Sequence, residues 1–253
     1  MNTRINPKAY IAPGTGLHSA IGWILLLVIG PIVVLYTLVA TFGLALIAWI
    51  VLGLLYTVRI KKERARIRGS AVRVDTKQFP DIYNAARNMA ESLGMAECPE
   101  VYIVENNQQN AWAIKHGSKK FVVLIDDIVY GAQATGNTKA LEFIIGHELA
   151  HHALGHTGIL RGLVRKYYLP LARLDEFSCD AVANALVGDT KAARDALALL
   201  LVGPQLFKQL DLQALDQQAS EVVADRYSKK SETRLTHPLL LRRYARVCGL
   251  AAT

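Results

Sequence analysis

The sequence predicts an α+β protein on a membrane anchor: an N-terminal two-helix transmembrane hairpin, followed by a mainly helical domain with a small β-sheet. Three observations lead there. No Asp, Glu, Lys or Arg occurs in the fifty residues from Ala9 to Val58, short β-rich runs cluster between residues 100 and 126, and from Thr138 onward the apolar spacing is helical. Composition agrees, with 52% hydrophobic residues, a mean hydropathy of +0.22 and a formal charge of +8. Such a chain is too apolar to be disordered and too poor in cysteine to be a disulfide scaffold.

The apolar run from Ser19 to Val58 would be about 60 Å long as one helix, twice the thickness of a hydrocarbon core. Two spans fit better, near residues 20 to 38 and 41 to 58, with a tight turn around Ala40 to Gly43. The run far exceeds the h-region of a cleavable signal and no A-x-A-like site follows it. Arg59, Lys61, Lys62, Arg64, Arg66 and Arg68 follow the second span, while Arg4 and Lys8 precede the first. By the positive-inside rule both ends, and everything after them, face the cytoplasm at a cell membrane. A basic run beside a span reads as a topology signal resting on anionic headgroups, not as a nucleic-acid site. Trp23 and Tyr56 lie near span ends, where interfacial aromatics sit. The division expected is a tail at 1–18, the hairpin at 19–58, a basic juxtamembrane helix or linker at 59–70 and a soluble domain at 71–253. Cys98, Cys179 and Cys248 form no CxxC pair and are expected to stay reduced.

In the soluble part, residues 80 to 93 carry helical spacing and stop at Gly94. The runs at Glu100 to Val104, Ala111 to Lys115 and Lys120 to Asp126 predict a sheet of about three strands. Residues 138 to 155 read as one helix, and Pro170 to Gly188 as another. Weaker helical patterns cover Thr190 to Val202, Gln205 to Gln218 and Pro238 to Val247.

The strongest chemical signal is His147-Glu148-Leu149-Ala150-His151 inside the first of those helices. Residues four apart share a helix face, so two imidazoles can bind one zinc ion while Glu148 reaches a metal-bound water. A catalytic site needs a third ligand. The layout with Gly three and His six residues after the second His is excluded, because Leu154 and Thr157 stand there. The layout with a Glu on a following helix is met by Glu176, 25 residues after His151, with Asp180 one turn further as an acceptor for a ligating His.

With HELAH and the later Glu176-x-x-x-Asp180, an earlier Asn110-Ala111-x-Ala113 and a late Thr236-His237-Pro238 with Arg243 follow one order. That set resembles the membrane gluzincin peptidases that include HtpX-like peptidases and CaaX prenyl proteases. The resemblance implies a zincin-like metalloprotease domain holding one zinc per chain. His147, His151 and Glu176 would be its ligands and Glu148 its general base. His237 would help stabilise the oxyanion, and Asn110, with Ala111 and Ala113, would lie on the edge strand that pairs with an extended substrate. Arg243 would be structural or a partner of Asp180.

The implied activity is a membrane-anchored zinc endopeptidase acting on misfolded or membrane-proximal proteins. The alternative of another class is a silent membrane adaptor that binds extended polypeptide along the edge strand. Processing of prenylated tails would need an enclosed chamber that two spans cannot build. The chain departs from the family at Phe177-Ser178-Cys179, which bears on packing, and it has no second hairpin between His151 and Glu176. His152 and His156 have no place in the layout. Residues 204 to 235 are considered as a lid over the cleft.

Overall fold

The computed structural model describes residues 4–106, 111–134 and 136–250. A 3-10 turn at Pro7–Tyr10, capped by the Asn6 side chain, leads into a helix at Thr15–Ala40. That helix widens into a π turn at Leu25–Ile29. Pro31 explains it, because proline has no N–H to donate and its ring crowds the carbonyl four residues back. A four-residue turn follows, with Phe42 98% exposed at its tip and both Phe42 and Gly43 at positive φ. The chain returns as one helix, Ala45–Ser70.

The region expected as a hairpin folds as helix, turn and helix. Among the described residues only Thr15–Ala40 is long and apolar enough by itself to cross a membrane. The apolar part of the second helix ends at Val58, and the expected juxtamembrane linker is simply its continuation. The last turns of that helix lie on the sheet: Ile67 packs with Tyr102, Phe121 and Val123, and the Arg64 guanidinium sits 5.7 Å over the Phe121 ring.

The sheet has four strands among the described residues, in the order β1 (Val72–Arg73), β2 (Glu100–Val104), β4 (Lys119–Ile125), β3 (Ala111–His116). β1 runs antiparallel to β2, β2 parallel to β4, and β4 antiparallel to β3. The strand read between β2 and β4 in sequence thus becomes the outer edge. Period-2 alternation divides the faces, with Tyr102, Phe121 and Val123 under the basic helix and Val101, Ile103, Val122 and Leu124 facing the main core.

Over that second face lie helices Pro80–Ser92 and Thr138–Ala153. From Phe143 to His152 every residue of the latter is buried, which is why it shows no one-sided apolar stripe. Helix Leu169–Val187 packs closest to it, and Thr190–Val202 and Leu240–Val247 close the core around them.

Three α-helices among the described residues are absent from the sequence reading: Asp126–Ala134, Ile159–Tyr167 and the short Arg226–Ser231. Asp126–Ala134 begins where a strand pattern runs on, its start marked by Asp126 and Asp127 in the first turn. Ile159–Tyr167 is strongly amphipathic, but its arginines and lysine mask it as surface. The single pattern at Gln205 to Gln218 is two helices, Pro204–Phe207 and Leu212–Ala224, because Asp211 caps the second by accepting from the Gln213 and Ala214 N–H groups. Of residues 204 to 235, none lines the cleft described below, so the structure gives no lid there.

The foot of the first helix is seated on the soluble body. The Ala12 N–H donates to Ser178 Oγ at 2.9 Å, His18 Nδ1 meets the Tyr168 hydroxyl at 2.7 Å, and a Cβ added at Gly22 would lie 2.4 Å from Val164 Cγ1. An added methyl at Gly16 meets nothing within 4 Å. Gly16→Ala is accordingly expected to leave the thermal midpoint of the detergent-solubilised protein unchanged or slightly raised. Gly22→Ala should lower it by an overpacking cost of about 1–3 kcal/mol, read by differential scanning fluorimetry on both proteins.

Candidate metal centre

His147 and His151 stand four residues apart on Thr138–Ala153, and across from them Leu169–Val187 presents Asp175, Glu176, Cys179 and Asp180, all buried. His147 Nε2 is 3.3 Å from Glu176 Oε2, and His151 Nε2 is 3.4 Å from Glu176 Oε1. A zinc ion bound at about 2.0–2.1 Å by tetrahedrally placed donors has donor-to-donor edges of about 3.3–3.4 Å. Each imidazole nitrogen lies at about that distance from a different oxygen of Glu176, so the carboxylate spans the two histidines and the donor set suits a zinc ion in its chemistry.

Their other atoms are held from behind. His147 Nδ1 is 2.8 Å from Asp180 Oδ1, and Arg243 grips Asp180 through Nε at 2.8 Å and Nη2 at 2.7 Å. His151 Nδ1 is 3.1 Å from His156 Nδ1. The chain brings His156 there by ending the helix tightly: Gly155 adopts φ +78°, and the His156 N–H donates to the His151 carbonyl at 2.9 Å. His152 points the other way, its Nε2 at 3.0 Å from the Phe121 carbonyl and its Nδ1 at 3.0 Å from Thr157 Oγ1, tying the helix to β4.

Electrostatics separates the two histidines. Burial opposes protonation of both; at His147 the hydrogen bonds to Asp180 and Glu176 outweigh it and raise its pKa to about 9. At His151 burial wins and lowers it to about 4. Burial would push Glu176 up, yet His151, His147 and His237 together hold it well below the usual carboxylate range. At Glu148 burial, helped by the charge on Glu176, outweighs the pull of His147, Arg243 and His237 and raises the pKa to about 7. A carboxyl group poised there can take and give a proton near neutrality.

His147, His151 and Cys179 also form a compact group of potential donors. Cys179 is the weaker third ligand, for a geometric reason. Its sulfur touches His156 Nδ1 at 3.5 Å, the atom that faces His151 Nδ1, so it lies behind the imidazoles, whereas Glu176 faces their Nε2 atoms. Burial also drives the Cys179 thiol pKa far up, away from the thiolate a metal needs.

The site opens into a cleft of about 520 Å³ lined by Ala111, Trp112 and Ala113 of β3 on one side and by Thr236, His237 and Pro238 on the other. Among the described residues β3 pairs only with β4, so its outer edge borders the cleft. Asn110 lies outside the described residues. His237 is 61% exposed and holds Nδ1 3.1 Å from Glu176 Oε2.

Sequence reasoning did not find the clasp that sets the His237 loop. Buried Glu232 accepts from the Leu239 N–H at 2.8 Å and pairs with Arg242, while Arg173 donates to the Glu232 and Leu235 carbonyls at 2.8 and 3.0 Å. Nor did it find Arg165, which reaches Glu176 Oε1 at 3.0 Å from helix Ile159–Tyr167. Glu232→Ala removes the acceptor for two donors and should cost about 1.5–3 kcal/mol, measured as a lower urea midpoint at unchanged slope.

Residues 76–161 match the family model described as Peptidase family M48. The chain is 34% identical over 90 residues to a protein named Protease HtpX homolog from Thermodesulfovibrio yellowstonii, covering 36% of this chain and 30% of that one. It is 30% identical over 109 residues to a protein of the same name from Streptococcus thermophilus, covering 42% and 35%. The chain thus spans about a third of the length of the curated relatives it matches. No solved structure matches. The family match contains β2 to β4 and the His-Glu helix but stops before Glu176, so the third ligand rests on the geometry above.

Proposed function

We propose, from the match of residues 76–161 to Peptidase family M48 and the likeness to HtpX homologs, that the chain is an HtpX-like M48 metallopeptidase, a membrane-anchored zinc endopeptidase that cleaves misfolded or membrane-proximal polypeptides at the cytoplasmic face. The observation that carries the reading is the convergence of His147 Nε2, His151 Nε2 and both Glu176 oxygens beside a cleft that also holds Glu148.

An extended substrate would add a strand along the outer edge of β3, reading backbone more than side chains. That pairing holds the scissile carbonyl between the ligand residues and His237. A zinc ion bound by His147, His151 and Glu176 would supply Lewis-acid polarisation of that carbonyl and acidify the attacking water. Glu148 takes the proton from that water on its carboxylate and returns it to the departing amide nitrogen. His237 is the candidate donor to the developing oxyanion. Asp180, held by Arg243, accepts the Nδ1 proton of His147 and fixes the tautomer that leaves Nε2 toward the metal.

The anchor in this proposal is the hairpin, with domain boundaries at residues 19, 59 and 71. The apolar stretch from Ala45 to Val58 is short, at about 21 Å. Arg59, Lys61 and Lys62 extend its reach by lying along the acyl boundary with their charges at the headgroups. The exposed leucines, isoleucines and valines of Thr15–Ala40 support burial in lipid.

Glu148→Gln in the full detergent-purified chain should lose cleavage of an unfolded model protein by at least about 100-fold. Zinc content should stay near one per chain in both proteins. Cleavage by the variant at the wild-type rate would remove the general-base role. Zinc binding without cleavage by either protein would favour a silent adaptor.

A further inference from the structure

Behind the metal centre, away from the cleft, a chain of polar side chains runs from His151 to the foot of the N-terminal helix. His151 Nδ1 faces His156 Nδ1 at 3.1 Å, and His156 Nε2 lies 3.3 Å from Asp175 Oδ1. Arg161 donates to Asp175 Oδ1 at 2.7 Å with one guanidinium nitrogen and to Ser19 Oγ at 2.8 Å with another. Arg165, one turn on, lies 3.2 Å from Asp175 Oδ2. Asp175 is fully buried and His156 nearly so. His156, Asp175 and Arg161 lie off the cleft lining, and the proposed reaction uses none of the three.

The tautomers follow from the partners. A His151 that offers Nε2 to a metal carries its hydrogen on Nδ1, so His156 must accept at Nδ1 and carry its own hydrogen on Nε2, toward Asp175. A carboxylate at the end of this chain strengthens each acceptor before it. Asp175 remains charged at low cost only because Arg161 and Arg165, four apart on one helix face, lie against it. Arg161 in turn takes its second acceptor from Ser19 on the first apolar helix.

We propose that His156 and Asp175 form the outer support of zinc ligand His151, and that Arg161 extends this support to Ser19, so that seating of the membrane helix tightens the metal site. His156, Asp175 and Arg161 are positioning residues. The inference rests on the zinc reading above.

The test is zinc affinity of the full chain in detergent, by competition with a chromophoric chelator, for wild type, His156→Leu, His156→Gln, Arg161→Met and Ser19→Ala. His156→Leu should bind zinc about 10- to 100-fold more weakly. His156→Gln, whose amide can accept from His151 and donate to Asp175, should recover most of that loss. Arg161→Met and Ser19→Ala should lose affinity in smaller steps, in that order. Cobalt substitution gives a second readout, since a reoriented His151 shifts the visible ligand-field bands of the saturated His156→Leu protein. His152→Gln, which breaks only the tie to β4, serves as a folding control and should bind zinc as wild type does.

If wild type binds one zinc and His156→Leu binds it equally tightly, the proposal is overturned while the metal reading stands. If Arg161→Met and Ser19→Ala both bind as wild type, the link to the membrane helix is overturned. If wild type binds no zinc, the metal reading itself fails and this inference with it.

Discussion

Glu176 is 1% exposed and keeps its charge, and removing a carboxylate from water to that depth costs several kcal/mol unless donors replace the lost hydration. Four elements supply them. His147 and His151 come from the central helix, Arg165 from Ile159–Tyr167, His237 from the late loop and Arg243 from the last helix. Each of those segments is itself tied down by a further ion pair or cap. The packing of the helical body is in this sense arranged around the solvation of one side chain.

The same requirement repeats one layer out. Asp175 and Asp180 flank Glu176 on the same helix, each buried, each facing a ligand histidine or its support, and each neutralised by arginine. Burial raises the Asp175 pKa, while at Asp180 the Arg243 guanidinium and the His147 hydrogen bond overcome burial and bring it down to about 2. Three acids within six residues would repel one another on a bare helix. Here they are separated by direction, each aimed at its own cation, so the charges organise the neighbouring helices in place of destabilising them.

The parts of this arrangement that sequence could reveal are those set by helical period. His147 and His151 share a face with Glu148 beside it, Glu176 and Asp180 share another, and both helices carry clear stop signals at Gly155 and Gly188. The strands at Glu100–Val104, Ala111–His116 and Lys119–Ile125 were legible from β-rich runs between turn residues, but not the order that puts the middle one outside. His156 was hidden because it is placed by the reversal at Gly155, beyond the reach of any period. Asp175 was hidden by its neighbour, since adjacent helical residues point about 100° apart and only one of them can face the metal. Its partners lay on a helix whose basic residues read as solvent-facing. Residues 59 to 70 were open to either helix or linker, because charge marks where apolar sequence ends and says nothing about where a helix stops.

The contacts that seat the first helix have a consequence for the order of assembly. Ser19 meets Arg161 across 142 positions of sequence and Ala12 meets Ser178 across 166. A ribosome delivers the apolar helix while its seat is still unsynthesised, and Arg243 follows later than either. Loop closure over such distances is slow compared with local helix formation. The apolar helix is thus synthesised long before the charged interior it sits on is complete, and the cluster around Glu176 closes only after that helix has left the ribosome.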